Sequence, residues 1–172
     1  MKIFKDIFTE DELFSDTYKM KLVDDCLWEV YGKYETRKGD EVVLEGSNAS
    51  AEEADEGTDS TSTSGIDIVL NHRLVETGFG SKKDFTVYLK DYMKKVVKHL
   101  EDNDRASEVD GFKKNISNVM KDLLGRFKDL QFFTGESMDP DAMICMCEYK
   151  DVDGEERPVL MFFKHGLNEE KF

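Results

Sequence analysis

Thiols, imidazoles, carboxylates and lysines are the side chains here with chemical potential, and their spacing narrows what each can do. The three cysteines are Cys26, Cys145 and Cys147. An odd, sparse count is no disulfide framework and fits a thiol-reducing, cytoplasmic setting. Cys145 and Cys147 share one face of a strand but lack the spacing and the second pair of a zinc site. They read first as small buried apolar side chains. The histidines His72, His99 and His165 are scattered and suggest no joint metal site. Gly78-Phe79-Gly80-Ser81-Lys82 comes nearest to a phosphate loop and lacks its spacing. Catalysis is therefore not expected.

Carboxylates are plentiful. Asp139, Asp141, Asp151, Asp153, Glu155 and Glu156 are hard oxygen donors suited to calcium. Asp151-Val152-Asp153-Gly154 places its glycine too early for an EF-hand, so a turn is the better reading and any calcium site is weak and diffuse. The lysines Lys83, Lys90, Lys94 and Lys98 fall within about a quarter-turn of one another at ~100° per residue. Such a basic stripe is either a solvated helix face or a docking surface for an acidic protein.

The balance of the whole chain frames these groups. Its 172 residues carry 38 acids against 24 bases, a formal charge of −14, which disfavours general nucleic-acid binding. Hydrophobic residues at 39% suffice for one core. No apolar run approaches the ~20 residues of a membrane span. Asp6, Glu10, Asp11 and Glu12 stand where a secretory signal needs an unbroken apolar stretch.

The elements that position these residues follow from periodicity. Residues 1–37 read as β structure, with Cys26, Trp28, Val30 and Tyr34 alternating with polar neighbours and a hairpin around Asp24-Asp25. Residues 39–65 hold eight acids, no Lys or Arg and no aromatic residue, which predicts a long mobile acidic loop. Ile66 to Leu70 reads as a further strand. Two helices follow within 82–128, with Ser81/Asp84 and Ser107/Asp110 as capping boxes. Phe85, Leu89, Tyr92, Val96 and Leu100 stripe the first; Val109, Phe112, Ile116, Met120, Leu123 and Phe127 stripe the second. The six-residue link between them favours an antiparallel pair. Met143 to Cys147 and Val159 to Phe163 read as strands covered on both faces, joined by a turn at Asp153-Gly154. The fold class is α+β, mainly β, with an inserted helical hairpin.

Several segments carry a resemblance. Glu45-Gly46-Ser47-Asn48-Ala49-Ser50-Ala51-Glu52-Glu53 resembles the first signature of the translationally controlled tumour protein (TCTP) family. Phe132-Phe133-Thr134-Gly135-Glu136-Ser137-Met138-Asp139-Pro140-Asp141-Ala142-Met143 resembles the second. Asp11-Glu12-Leu13-Phe14-Ser15-Asp16, Asn71-His72 and Phe162-Phe163-Lys164-His165-Gly166-Leu167 match as well, so the resemblance spans the chain. It implies an exchange-factor-like β-tent over 1–172, a single domain, with the inserted antiparallel helical hairpin and the mobile acidic loop. The zinc of the tent-like relative is not carried over, because its Cys pairs are missing.

The resemblance further implies a non-catalytic cytoplasmic regulator of growth and survival. Implied properties are weak calcium binding, tubulin and microtubule binding, stimulation of the small GTPase Rheb, and contacts with apoptosis regulators. Asp11, Glu12, Leu13 and Phe14 become the candidates for facing the GTPase, with Leu13 and Phe14 as apolar anchors. Lys83, Lys90, Lys94 and Lys98 become the candidates for tubulin. The alternative is a thiol-based reductase of the same fold using Cys145 or Cys147. Relatives often end in Cys, whereas this chain ends Glu170-Lys171-Phe172, so a terminal disulfide is not implied.

Overall fold

The computed structural model describes residues 1–38 and 62–172. Short antiparallel strands dominate its first third: β1 (Lys2–Asp6), β2 (Glu12–Ser15), β3 (Lys19–Val23), β4 (Leu27–Tyr31) and β5 (Tyr34–Lys38). Then come β6 (Ser62–Ile66), a short helix α1 (Asp67–His72) and β7 (Val75–Thr77). The long helices α2 (Lys82–Asp102) and α3 (Val109–Gly125) follow, and β8 (Gln131–Thr134), β9 (Cys145–Val152), β10 (Glu155–Phe163) and β11 (Leu167–Lys171) close the chain.

Six strands form one sheet in the order β3-β4-β10-β9-β8-β7, three form a second in the order β11-β1-β2, and β5 pairs with β6 as a ribbon. Every pairing is antiparallel. The turns are those the sequence dictates. Asp24 and Asp25 both take positive φ between β3 and β4, and Asp153 and Gly154 do so between β9 and β10. Two successive left-handed residues match the right-handed twist of a tight hairpin.

β10 lies at the centre of the large sheet, and Val159 through Phe163 are wholly buried. Phe162 meets Phe14 at 4.4 Å, and Phe14 stacks on Phe4 at 4.4 Å, which joins the two larger sheets. The helical hairpin covers the other side through Phe85 on Phe132 and Tyr92 on Phe163. The mainly-β fold with its inserted hairpin is as expected.

Three expectations need correction. The acidic segment expected over 39–65 is shorter at its end, because Ser62–Ile66 is strand β6 in register with β5, with the Thr36 and Ser64 hydroxyls 3.1 Å apart. Residues 39–61 lie outside the described residues. Of the strand expected at Ile66 to Leu70, only Ile66 is extended, as the last residue of β6; Asp67 to Leu70 open α1. There Asp67 Oδ1, in the first residue of the helix, accepts from the Ile68 and Lys33 amides at 2.8 and 3.0 Å and ties α1 to the β4–β5 connection. Gly32 makes room for this, since a Cβ there would lie 2.7 Å from that oxygen. Finally, Ser107 does not cap α3. It lies in a 3-10 turn, Ala106–Glu108, whose last residue Glu108 pairs with the preceding Arg105 at 2.8 Å.

Candidate functional site

Helix α2 carries the first region of interest. Ser81 is its N-cap, its side chain accepting from the Asp84 amide at 3.2 Å, as the capping box predicts. Phe85, Leu89, Tyr92, Met93, Val96 and Leu100 are buried. That stripe fixes the helix rotation, so the lysine stripe turns outward. Lys83, Lys90, Lys94 and Lys98 are all exposed, and none forms an ion pair among the described residues.

Antiparallel packing adds what the stripe alone does not show. Between α2 and α3 runs a groove of about 280 Å³, floored by Met93, Val97, Phe112 and Ile116. Lys94, Lys98 and Lys113 rim it, with Glu101 the one acid. Lys113 comes from α3 and was not singled out from the sequence; the predicted antiparallel pair was the available signal. Lys95 belongs elsewhere. Its ammonium donates to the Asp141 carbonyl oxygen at 2.7 Å and stands 4.5 Å from the centre of the Phe8 ring.

The second region gathers around Asp11 and Glu12. Asp11 accepts from the Ser137 amide at 3.0 Å and from its hydroxyl at 2.6 Å. Gly135 permits this approach, because a Cβ there would lie 2.8 Å from that of Asp11. Thus the opening segment and the second signature, far apart in sequence, are one surface.

Glu12 is exposed and sits 3.1 Å from His72 Nδ1, while Tyr18 Oη lies 3.2 Å from His72 Nε2. Asn71 donates to that Tyr18 oxygen at 2.7 Å, and Arg37 donates to the Asn71 side-chain oxygen at 2.7 Å. The chain of donors and acceptors fits a neutral His72 protonated on Nδ1. Burial lowers the His72 pKa below its ordinary value, against the opposing pull of Glu12 and Asp67. Nearby, Arg73 pairs with Glu136 at 3.2 Å. His72, Tyr18 and Arg37 were not foreseen as parts of this surface, since only the fold brings them together.

Leu13 and Phe14 depart from expectation. They are 2% and 0% exposed, packed into the core between the sheets. A side chain already buried offers a partner no apolar area, so neither anchors a GTPase in this conformation. Only Asp11 and Glu12 of that quartet face outward.

The thiols are likewise interior. Burial pushes Cys26 and Cys147 up to about 12 and Cys145 upward as well. Protonated, covered thiols are the opposite of what a reductase nucleophile needs. As for calcium, the Asp139 side chain accepts from the Asp141 amide at 2.9 Å, which stabilises a turn. Among the described residues no three His, Cys, Asp or Glu side chains converge on a point that would hold a metal ion. The acids there do not fit a preorganised calcium cage. No described helix is long and apolar enough to cross a membrane.

Comparison with known proteins places this arrangement. The sequence profile described as translationally controlled tumour protein matches residues 1–168. A translationally-controlled tumor protein homolog of Aedes albopictus is 68% identical, with both chains covered completely. One from Drosophila melanogaster is 66% identical over 99% of each chain. The solved structure of the Schizosaccharomyces pombe protein p23fyp superposes with a TM-score of 0.80 at 38% identity over the whole of both chains. The Caenorhabditis elegans protein gives 0.73 at 46% identity, covering 100% of this chain and 99% of that one. Whole-length sequence identity and a shared fold agree that this chain belongs to the translationally controlled tumour protein family.

Proposed function

We propose that this chain is a non-catalytic cytoplasmic regulator of growth and survival that works by binding partners, tubulin foremost. The observation that carries this reading is the exposed lysine stripe of α2. Lys83 and Lys98 are fifteen residues apart, so the stripe runs about 22 Å along the helix. In a protein of charge −14 such a concentration of bases is a directional feature, able to steer an acidic surface such as the tubulin tails onto α2.

Microtubule co-sedimentation tests it. The triple variant Lys90→Glu, Lys94→Glu, Lys98→Glu is expected to bind roughly tenfold or more weakly, with its helix content intact. Raising salt should reproduce the loss, because exposed charges are screened beyond ~8 Å at physiological ionic strength. Wild-type binding by the triple variant would reduce the stripe to a solvated face.

The surface at Asp11 and Glu12 favours a second reading, stimulation of the small GTPase Rheb. A GTPase holds its nucleotide through a phosphate-binding lysine and Mg²⁺. An exposed carboxylate held in place by its neighbours can pair with that lysine as the nucleotide leaves, and Glu12, held by His72, is such a group. Release of labelled GDP from purified Rheb should accelerate with the wild-type protein and not with Glu12→Val. Equal release with both proteins would exclude direct exchange through Glu12. Calcium enters this proposal only as weak binding, with a dissociation constant on the order of 10⁻⁴ M or weaker.

A further inference from the structure

The flank of α2 on the other side of its core stripe carries two carboxylates beside a single lysine, Lys95. Asp84 and Asp91 stand two turns apart there, with the exposed Val87 between them. The β7–α2 connection brings Phe79 against this flank, and the loop between β8 and β9 brings Asp141. Together they wall an open cavity of about 270 Å³. Its lining is aromatic as well as acidic. Phe79 lies 5.4 Å from Tyr88, and Tyr88 stacks on Tyr92 at 5.6 Å with 17° between the ring planes.

Two polar groups of the lining, the Tyr88 hydroxyl and the Lys95 ammonium, are already engaged, while the buried Tyr92 hydroxyl has no hydrogen-bond partner among the described residues. The Tyr88 hydroxyl donates to the Ala142 carbonyl at 2.8 Å and accepts from the Ile144 amide at 2.7 Å. Lys95 is held by the Asp141 backbone and the Phe8 ring, as described above. Among the described residues Asp84, Asp91 and Asp141 form no ion pair. Three carboxylates and one tied lysine leave the cavity with an excess of negative charge.

Carboxylates beside aromatic rings select an organic cation. The acids supply Coulomb attraction, ring faces add their quadrupole, and an apolar wall covers an alkyl stem. A bare metal ion would gain nothing from the rings, and no three acids here converge closely enough to hold one. A space of this size takes the end of one side chain. We propose that this cavity binds a primary alkylammonium group, the chemistry of a lysine side chain presented by a basic segment of a partner protein.

The test is a titration of the ¹⁵N-labelled full chain with the peptide acetyl-Gly-Gly-Lys-Gly-Gly-amide, followed by amide chemical shifts. Saturable shifts are expected at Phe79, Tyr88, Asp91 and Asp141. The same peptide with norleucine in place of lysine, which keeps the stem and removes the charge, should cause none of them. Asp84→Asn with Asp91→Asn should weaken binding roughly tenfold, and Phe79→Leu should weaken it severalfold. Glu155→Gln with Glu156→Gln, neutralising acids at the distant β9–β10 turn, should leave it unchanged. Scattered, unsaturable shifts overturn the proposal, as does equal binding of the norleucine peptide. So does an equal loss from the Glu155 and Glu156 pair, which would mean diffuse attraction to an acidic protein. Should Phe79→Leu disturb the spectrum throughout, the two exposed aspartates decide the matter alone.

Discussion

Helix α2 presents two unlike flanks on either side of one buried stripe. One offers Lys94 and Lys98 beside an apolar groove shared with α3; the other offers Asp84 and Asp91 beside an aromatic cavity shared with the β8–β9 loop. Both are about the same size, and both use groups that the core stripe holds at fixed rotation. Their difference lies in what packs alongside. A second amphipathic helix leaves methylene and methyl surface, whereas a loop crossing aromatic side chains leaves rings and backbone carbonyls. One helix in one chain can therefore offer complementary surfaces to an acidic partner and to a basic one.

The sharpest way to break this comparison is to loosen the stripe on which both flanks depend. Leu89 is fully buried in the middle of α2. Leu89→Ala should cost about 3 kcal/mol of unfolding free energy, the sum of lost burial and a residual cavity. Urea denaturation measures it. If the flanks share one scaffold, microtubule binding and peptide binding should fall together near the unfolding midpoint. Loss of only one would show that the flanks are held independently.

A smaller effect is expected at the cap. Ser81→Ala removes the acceptor for the Asp84 amide and should cost about 1 kcal/mol, measured by the same denaturation. Because Asp84 lies in the first turn and Lys98 near the last, fraying should touch the acidic flank before the basic one. Amide exchange along α2 would show it as faster exchange in 82–86 with protection of 93–98 unchanged. Uniform acceleration along the whole helix would mean the cap stabilises the helix globally and does not distinguish its flanks.

How much of this was legible in the sequence differs between the two flanks. The lysine stripe followed from a repeat within one helix, and the antiparallel hairpin from the short link. The acidic cavity did not, because Asp141 and Ile144 reach the flank of Asp84 only through the tertiary fold. The same separation hid the contact of Asp11 with Ser137, although both lie in segments that carried the family resemblance. Local pattern also misled at Ile66 to Leu70, where an apolar, β-branched run resembles a strand. There the Asp67 carboxylate bonds its own neighbour and the remote Lys33 amide, a tie that no local pattern shows. Leu13 and Phe14 show the reverse error, apolar residues beside a candidate acid read as a surface when they are core.

The smallest expected effect separates both flanks of α2 from the Glu12 surface. The flanks are exposed, so salt is their lever; His72 has a side chain only 7% exposed, so protons are its lever. Burial lowers the folded-state pKa of His72 from an unfolded value of about 6.5. Below that value the unfolded chain takes up a proton that the folded chain resists, so stability falls as pH drops and is recovered above it. His165, lowered chiefly by burial with Lys164 adding to it, acts in the same direction. His72→Gln should therefore flatten only part of the stability decline between pH 7 and pH 5.5 in urea titrations, leaving the share of His165. Protonated His72 would also draw Glu12 inward, since the two are 3.1 Å apart, and partly offset the loss. Microtubule and peptide binding by α2 should track the stability curve and nothing else over this range. A pH profile of the variant that coincides with wild type would show that Glu12 and solvent already accommodate the proton, and that His72 positions the acid without sensing pH.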